Sequence, residues 1–171
     1  MQPDPLTPYG NRPMVTPIVN AVNYEYASFE VLRQITEGEI DGYTYHRDDN
    51  PTVREVEKKI ASLEETEDCV ICTSGMAACT MVYLTYLRAG DHLLMADSIY
   101  YPTRRFADTM LARLGVEVEY YDPLVGGGIA ALMKPNTRVV FTESPGSNTF
   151  EIQDIPAIAA EAKARGVVTM M

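Results

Sequence analysis

A chain of 171 residues, 46% hydrophobic and 22% charged, can build one core and is too apolar to stay disordered. Its formal charge of −10 excludes a general nucleic-acid binder, which needs a basic surface, but leaves room for one small phosphate in a local site. No apolar run approaches the roughly 18 residues of a membrane span, the start from Met1 to Pro17 lacks a signal-peptide core, and three cysteines suit a reducing compartment, so a soluble cytoplasmic protein is expected.

Met1 to Asn23, rich in Pro and Asn, reads as an extended arm, and Tyr24 to Gly38 as a short helix with Phe29, Leu32 and Ile35 at spacings of three. Asp41 to Asn50 is polar, aromatic and loop-like. Thr52 and Glu55 have the Thr-x-x-Glu spacing of a capping box, and Val53, Val56, Ile60 and Leu63 then mark one apolar helix face. Asp68 to Thr73 reads as a buried strand and Gly75 to Leu87 as a helix. His92 to Ala96 is a strand. Pro102 opens a helix whose apolar face is Phe106, Met110, Leu111 and Leu114, with Gly115 ending it. Val116 to Tyr121 is a strand, and the Gly126-Gly127-Gly128 turn leads to a short helix. Arg138 to Thr142 is a strand, Asp154 and Pro156 open a helix closed by Gly166, and Val167 to Met171 is a last strand. Alternating strands and helices predict an α/β fold with a mostly parallel sheet. The five strands read as short apolar runs, as when helices cover both faces. The chain stops inside an apolar strand, so a truncated domain is expected, with 1–50 as arm and loop and 51–171 as the first portion of a larger α/β domain.

Three stretches carry chemistry. Thr73-Ser74-Gly75-Met76-Ala77 lies where a helix begins; free N–H groups and the helix dipole favour an anion there, and a glycine lets it come close. The same stretch also reads as a tight turn with a serine cap. Tyr45 to Thr52 offers Arg47, a forked donor for phosphate oxygens, and the Tyr45 hydroxyl; it also reads as a solvated loop before a capped helix. Tyr100-Tyr101-Pro102-Thr103 follows a strand on the side where α/β ligands sit, so Tyr100 either stacks on a flat ring or packs its own loop. Cys69 and Cys72 have redox or zinc spacing, but in a strand their side chains would face opposite ways. They and Cys79 are read as buried thiols, His92 as structural, and no metal site is assigned.

Together these residues resemble one family. Tyr45-x-Arg47-x-x-Asn50-Pro51-Thr52, Ser74-Gly75-Met76-Ala77, Ala89-Gly90-Asp91-His92, Tyr100-Tyr101-Pro102-Thr103, Glu143-Ser144-Pro145-Gly146-Ser147 and Asp154-Ile155-Pro156-Ala157-Ile158 occur in the order and spacing of the Cys/Met-metabolism enzymes that use pyridoxal phosphate (PLP). The resemblance covers about Pro13 to Met171. Glu143–Ser147 and Tyr121–Gly126 look closest to the bacterial cystathionine β-lyase branch, since γ-acting members usually read Glu-Thr-Pro-x-Asn-Pro at the first of these.

The resemblance implies an aspartate-aminotransferase-like (fold type I) sheet and a carbon–sulfur lyase acting on a sulfur-containing amino acid. It implies that Gly75 and Met76, with Ser74 adjacent, hold the PLP phosphate through backbone N–H groups, that Tyr100 stacks on the ring and assists at the substrate, and that Tyr45 and Arg47 reach the phosphate of a neighbouring subunit, which requires a homo-oligomer. The family's ring-nitrogen Asp and Schiff-base Lys would both come after Met171. Lys58, Lys59, Lys134 and Lys163 match no family position, so this chain by itself is expected to be an inactive part of the enzyme or an assembly module. A nucleotide-binding α/β domain is the third reading, weakened by the lack of Gly-x-Gly-x-x-Gly after a strand.

Overall fold

The computed structural model describes residues 13–171, so the first twelve residues of the expected arm lie outside it. The chain divides into two compact units, one running to Ile71 and one from Cys72 to Met171.

In the first unit, helix α1 spans Phe29–Thr36, capped by the Ser28 side chain on the Val31 N–H. Helix α2 spans Pro51–Leu63. Its cap is not the expected Thr52–Glu55 box. Proline suits the first helical position because its missing N–H would have had no partner there. The cap therefore falls just before Pro51, two residues earlier than expected, on buried Asn50, whose Oδ1 accepts the Thr52 and Val53 N–H groups at 3.0 and 3.1 Å. Thr52 is used otherwise: its hydroxyl accepts the Val19 N–H at 2.9 Å and ties the arm to the helix. Asn50→Ala is expected to cost about 1 kcal/mol in urea denaturation, and Glu55→Ala less than about 0.5. The opposite ranking would restore the capping box.

Asp68 to Thr73 forms no strand. A parallel strand exists only by pairing with a neighbour, and here the N–H groups go to carboxylates instead: Cys69 N–H to Asp68 Oδ1 at 2.8 Å and Ile71 N–H to Glu57 Oε1 at 3.0 Å. Four strands form among the described residues, not five. Without the strand, the cysteines are not the buried thiols expected; all three are partly exposed, and none forms a disulfide.

The second unit begins with helix α3, Gly75–Tyr86, and is built on strands β1 (His92–Ala96), β2 (Glu117–Tyr121), β3 (Thr137–Phe141) and β4 (Val168–Met170). They pair in the order β2-β1-β3-β4, every pair parallel, which bears out the α/β reading. β1 and most of β3 are buried apolar runs, as helix-covered strands must be. β2 is different: it lies at the sheet edge and alternates Glu117, Val118, Glu119, the charged pattern that protects an edge from stray pairing.

Helix α4, Tyr101–Phe106, and a π-helical turn over Ala107–Leu111 join β1 to β2. The π turn admits an extra residue and rotates the helix face. Ala107 and Leu111 thus enter the core, while Met110 and Leu114, expected inside, stay exposed. A 3-10 helix over Gly126–Ala131 joins β2 to β3, and helix α5, Ile155–Ala164, capped by Asp154 on the Ala157 N–H, joins β3 to β4. Leu93, Leu94, Met95, Val139, Val140, Ile129, Leu111 and Ile158 form one core with Tyr83 of α3. No helix among the described residues is long and apolar enough to cross a membrane.

Candidate functional site

In a parallel sheet, ligands gather beyond the C-terminal ends of the strands. In the second unit β1, β2 and β3 end at Ala96, Tyr121 and Phe141; the segment after β1 carries Tyr100 and the segment after β3 carries Glu143, while Ser74, Gly75 and Met76 open the helix that precedes β1. Tyr100 opens α4 with its ring about half exposed, at 52%. Its carbonyl accepts the Thr103 and Arg104 N–H groups at 3.0 and 3.2 Å, so the backbone is fixed while the ring remains available.

Ser74 caps α3. Its hydroxyl accepts the Ala77 N–H at 3.1 Å and its carbonyl the Ala78 N–H at 3.1 Å. The earlier N–H groups, on Gly75 and Met76, have no preceding turn to bond to, as at any helix start. Gly75 has no reason of fold to be glycine: its φ is not left-handed, and an added Cβ would meet no atom within 4 Å. The start of this 12-residue helix is open at Gly75, which leaves its first N–H groups accessible to an anion such as a phosphate. Met76 ties this start to the next helix, because the Thr103 hydroxyl donates to its Sδ at 3.5 Å. The structure thus brings Ser74, Gly75, Met76 and the Tyr100 turn into one neighbourhood.

Glu143, quoted in the sequence motif but given no role, belongs to the same cluster. Its Oε2 accepts the Tyr100 N–H at 2.9 Å. Its own carbonyl accepts from Gln153 Nε2 at 2.7 Å, and Gln153 Oε1 accepts from the buried Tyr121 hydroxyl at 3.0 Å, so a chain of hydrogen bonds runs from the core to Tyr100. Burial, and then the Glu143 charge, push the Cys79 thiol pKa up, which keeps it protonated and unreactive. The available signal was an acid directly after an apolar strand. Gly146 packs beside the same turn: the Ser147 N–H donates to the Ser98 carbonyl at 2.7 Å, and a Cβ on Gly146 would stand 2.7 Å from Ser98 Cβ.

Tyr45 and Arg47 belong to the first unit. Tyr45 forms an antiparallel bridge with Asn23, and its carbonyl accepts the Asp48 and Asp49 N–H groups, which fixes the loop. The exposed Arg47 guanidinium lies 5.1 Å from the centre of the Tyr45 ring, a cation–π contact that leaves its donors to solvent.

A cavity of about 390 Å³ lies between Asp97, Tyr120, Tyr121, Asp122, Leu124 and Glu151. Its three carboxylates repel an anion, so it does not compete with the α3 cradle for a phosphate.

The family described as "Cys/Met metabolism PLP-dependent enzyme" matches residues 5–171. A Rhizobium johnstonii protein provisionally named as a cystathionine beta-lyase is 45% identical over 97% of this chain and 42% of its own length. Cystathionine beta-lyase MetC of Escherichia coli is 34% identical over 85% of this chain and 37% of its own. Among solved structures, metB from Corynebacterium glutamicum superposes with a TM-score of 0.84 at 30% identity, over 99% of this chain and 41% of that one. The chain thus spans about two fifths of the length of these proteins.

Proposed function

This chain belongs to the Cys/Met metabolism PLP-dependent enzyme family, and on that premise we propose that it is the phosphate-side portion of a cytoplasmic carbon–sulfur lyase acting on cystathionine. The observation that supports the reading is the glycine at position 75, which opens α3 without a left-handed φ and without any described atom near its missing Cβ, and so leaves room for a phosphate to approach. Gly75 and Met76 hold the phosphate through their N–H groups, and Ser74 fixes the helix start that aims them. Tyr100, its backbone held by Glu143, would stack on the ring. Tyr45 and Arg47 add a hydroxyl and a forked cation to the phosphate of a neighbouring subunit, which makes the active form a homo-oligomer. Bound PLP supplies the electron sink; the part of the protein seen here grips and orients it. The lysine that carries the cofactor and the acid that pairs with its ring nitrogen would be supplied by another part of the protein, since Lys58, Lys59, Lys134 and Lys163 match no family position; Lys134 is paired with Glu117 and Glu119. Residues 51–171 then form the first portion of the cofactor domain, and 1–50 the arm and loop that reach the neighbour.

The reaction consumes cystathionine and water and yields homocysteine, pyruvate and ammonia. The test is an assay of the full-length gene product with cystathionine. Homocysteine and pyruvate are expected; cysteine with 2-oxobutyrate would move the enzyme to the γ-acting branch, and no turnover with any sulfur amino acid would end the lyase reading.

A further inference from the structure

The opposite end of the sheet, where the strands begin, carries a cluster that the cofactor reading does not use. His92 opens β1, and the register sets it beside Glu117 of β2. Glu117 and Glu119 are two residues apart on one strand, so their side chains leave the same face. One ligand atom from each of His92, Glu117 and Glu119 lies within 4.8 Å of the others.

His92 is fully buried. Its Nδ1 is hydrogen-bonded to Thr137 Oγ1 at 2.8 Å, and its Nε2 is buried with no hydrogen-bond partner. The Glu119 Oε2 stands 3.4 Å away, too poorly aligned to serve as one. A cation is already drawn to the carboxylates: Lys134 Nζ lies 2.7 Å from Glu117 Oε1 and 2.5 Å from Glu119 Oε2. It gives nothing to His92.

We propose that His92 Nε2, Glu117 and Glu119 form a binding site for a divalent transition metal, with Zn²⁺ the best match, which displaces the Lys134 ammonium. One imidazole nitrogen and two carboxylate oxygens are ordinary zinc ligands, and the exposed side at Glu117 leaves a position for water. The outer partners a metal histidine needs are in place: Nδ1 is hydrogen-bonded to Thr137 Oγ1, which accepts the Nδ1–H in the tautomer that leaves Nε2 free for a metal, and Asn136 Nδ2 donates to Glu117 Oε2 at 3.3 Å. Two carboxylates and one ammonium leave a net charge of −1; a divalent ion in place of the ammonium brings the cluster to zero. The Lys134 side chain, 38% exposed, has water to move into.

The site is invisible to sequence spacing because its ligands come from two strands 25 residues apart in register. It is tested by calorimetric titration of the full-length protein with Zn²⁺, after chelation and alkylation of the cysteines. A binding event is expected that Glu119→Gln weakens about tenfold or more and Lys134→Met tightens by about tenfold. The second change carries the weight, since a lysine that served only as an ion-pair partner would give no gain in zinc affinity when removed. Absence of such a binding event, or binding that neither substitution alters, would overturn the proposal.

Discussion

Replacing Gly75 by alanine is expected to weaken PLP binding by about tenfold to a hundredfold while leaving the protein as stable as before or slightly more so. The two effects have opposite signs because they have different origins. In the fold, the new Cβ meets nothing within 4 Å, and the backbone is not in the left-handed region. An alanine there narrows the unfolded ensemble and improves the helix, worth about 0.4–1 kcal/mol. For the ligand, the same Cβ occupies the space in front of the first N–H groups of α3. Losing or lengthening one charge-assisted hydrogen bond removes about 1.5–3 kcal/mol, which is roughly one to two decades of affinity. Absorbance titration of the apo full-length protein with PLP reads the first effect, and denaturation without cofactor reads the second. Unchanged affinity would remove Gly75 from the cradle.

Gly146→Ala is expected to act through the fold, at a cost of about 1–3 kcal/mol. The added Cβ would lie 2.7 Å from Ser98 Cβ, 2.8 Å from Ser98 Oγ and 3.0 Å from Glu151 Oε2. Ser98 has little freedom to yield: it is buried, and it follows the fully buried end of β1 by two residues. A displaced Ser98 also shifts the turn that carries Tyr100, so turnover of the full-length enzyme should fall with stability. Ser98→Gly in the same chain removes two of the three close contacts and should recover most of both losses. A double variant no better than Gly146→Ala would show that the strain lies elsewhere.

The elements that sequence located well are those whose boundaries are set by their own residues. β1 begins and ends where its apolar run does, and Pro156 and Asp154 mark the start of α5. The failures share a cause: each depended on a partner distant in the chain. Asp68 to Thr73 has strand composition but no strand beside it. The π turn at Ala107–Leu111 exchanges one helix face for another, and no local pattern announces it. The motifs that hold the candidates Ser74, Gly75, Met76 and Tyr100 stand out in the sequence because each is contiguous. Glu143 was not assigned a role, since its partner is the Tyr100 backbone 43 residues away and any residue type could offer that N–H.

The strand order has a consequence for how the protein is made. β1 is an inner strand, but its neighbours arrive later, β2 on one side and then β3 on the other. β3 is complete about 45 residues after β1. At roughly 5–20 residues per second, a ribosome takes about 2–9 s to deliver it. For that interval the most apolar strand of the sheet has at least one flank unpaired while the chain is still growing. Nascent chains from which Tyr121 has emerged but Phe141 has not should therefore be the form of this protein that general chaperones hold most tightly, with release once Val139 to Phe141 have emerged and docked.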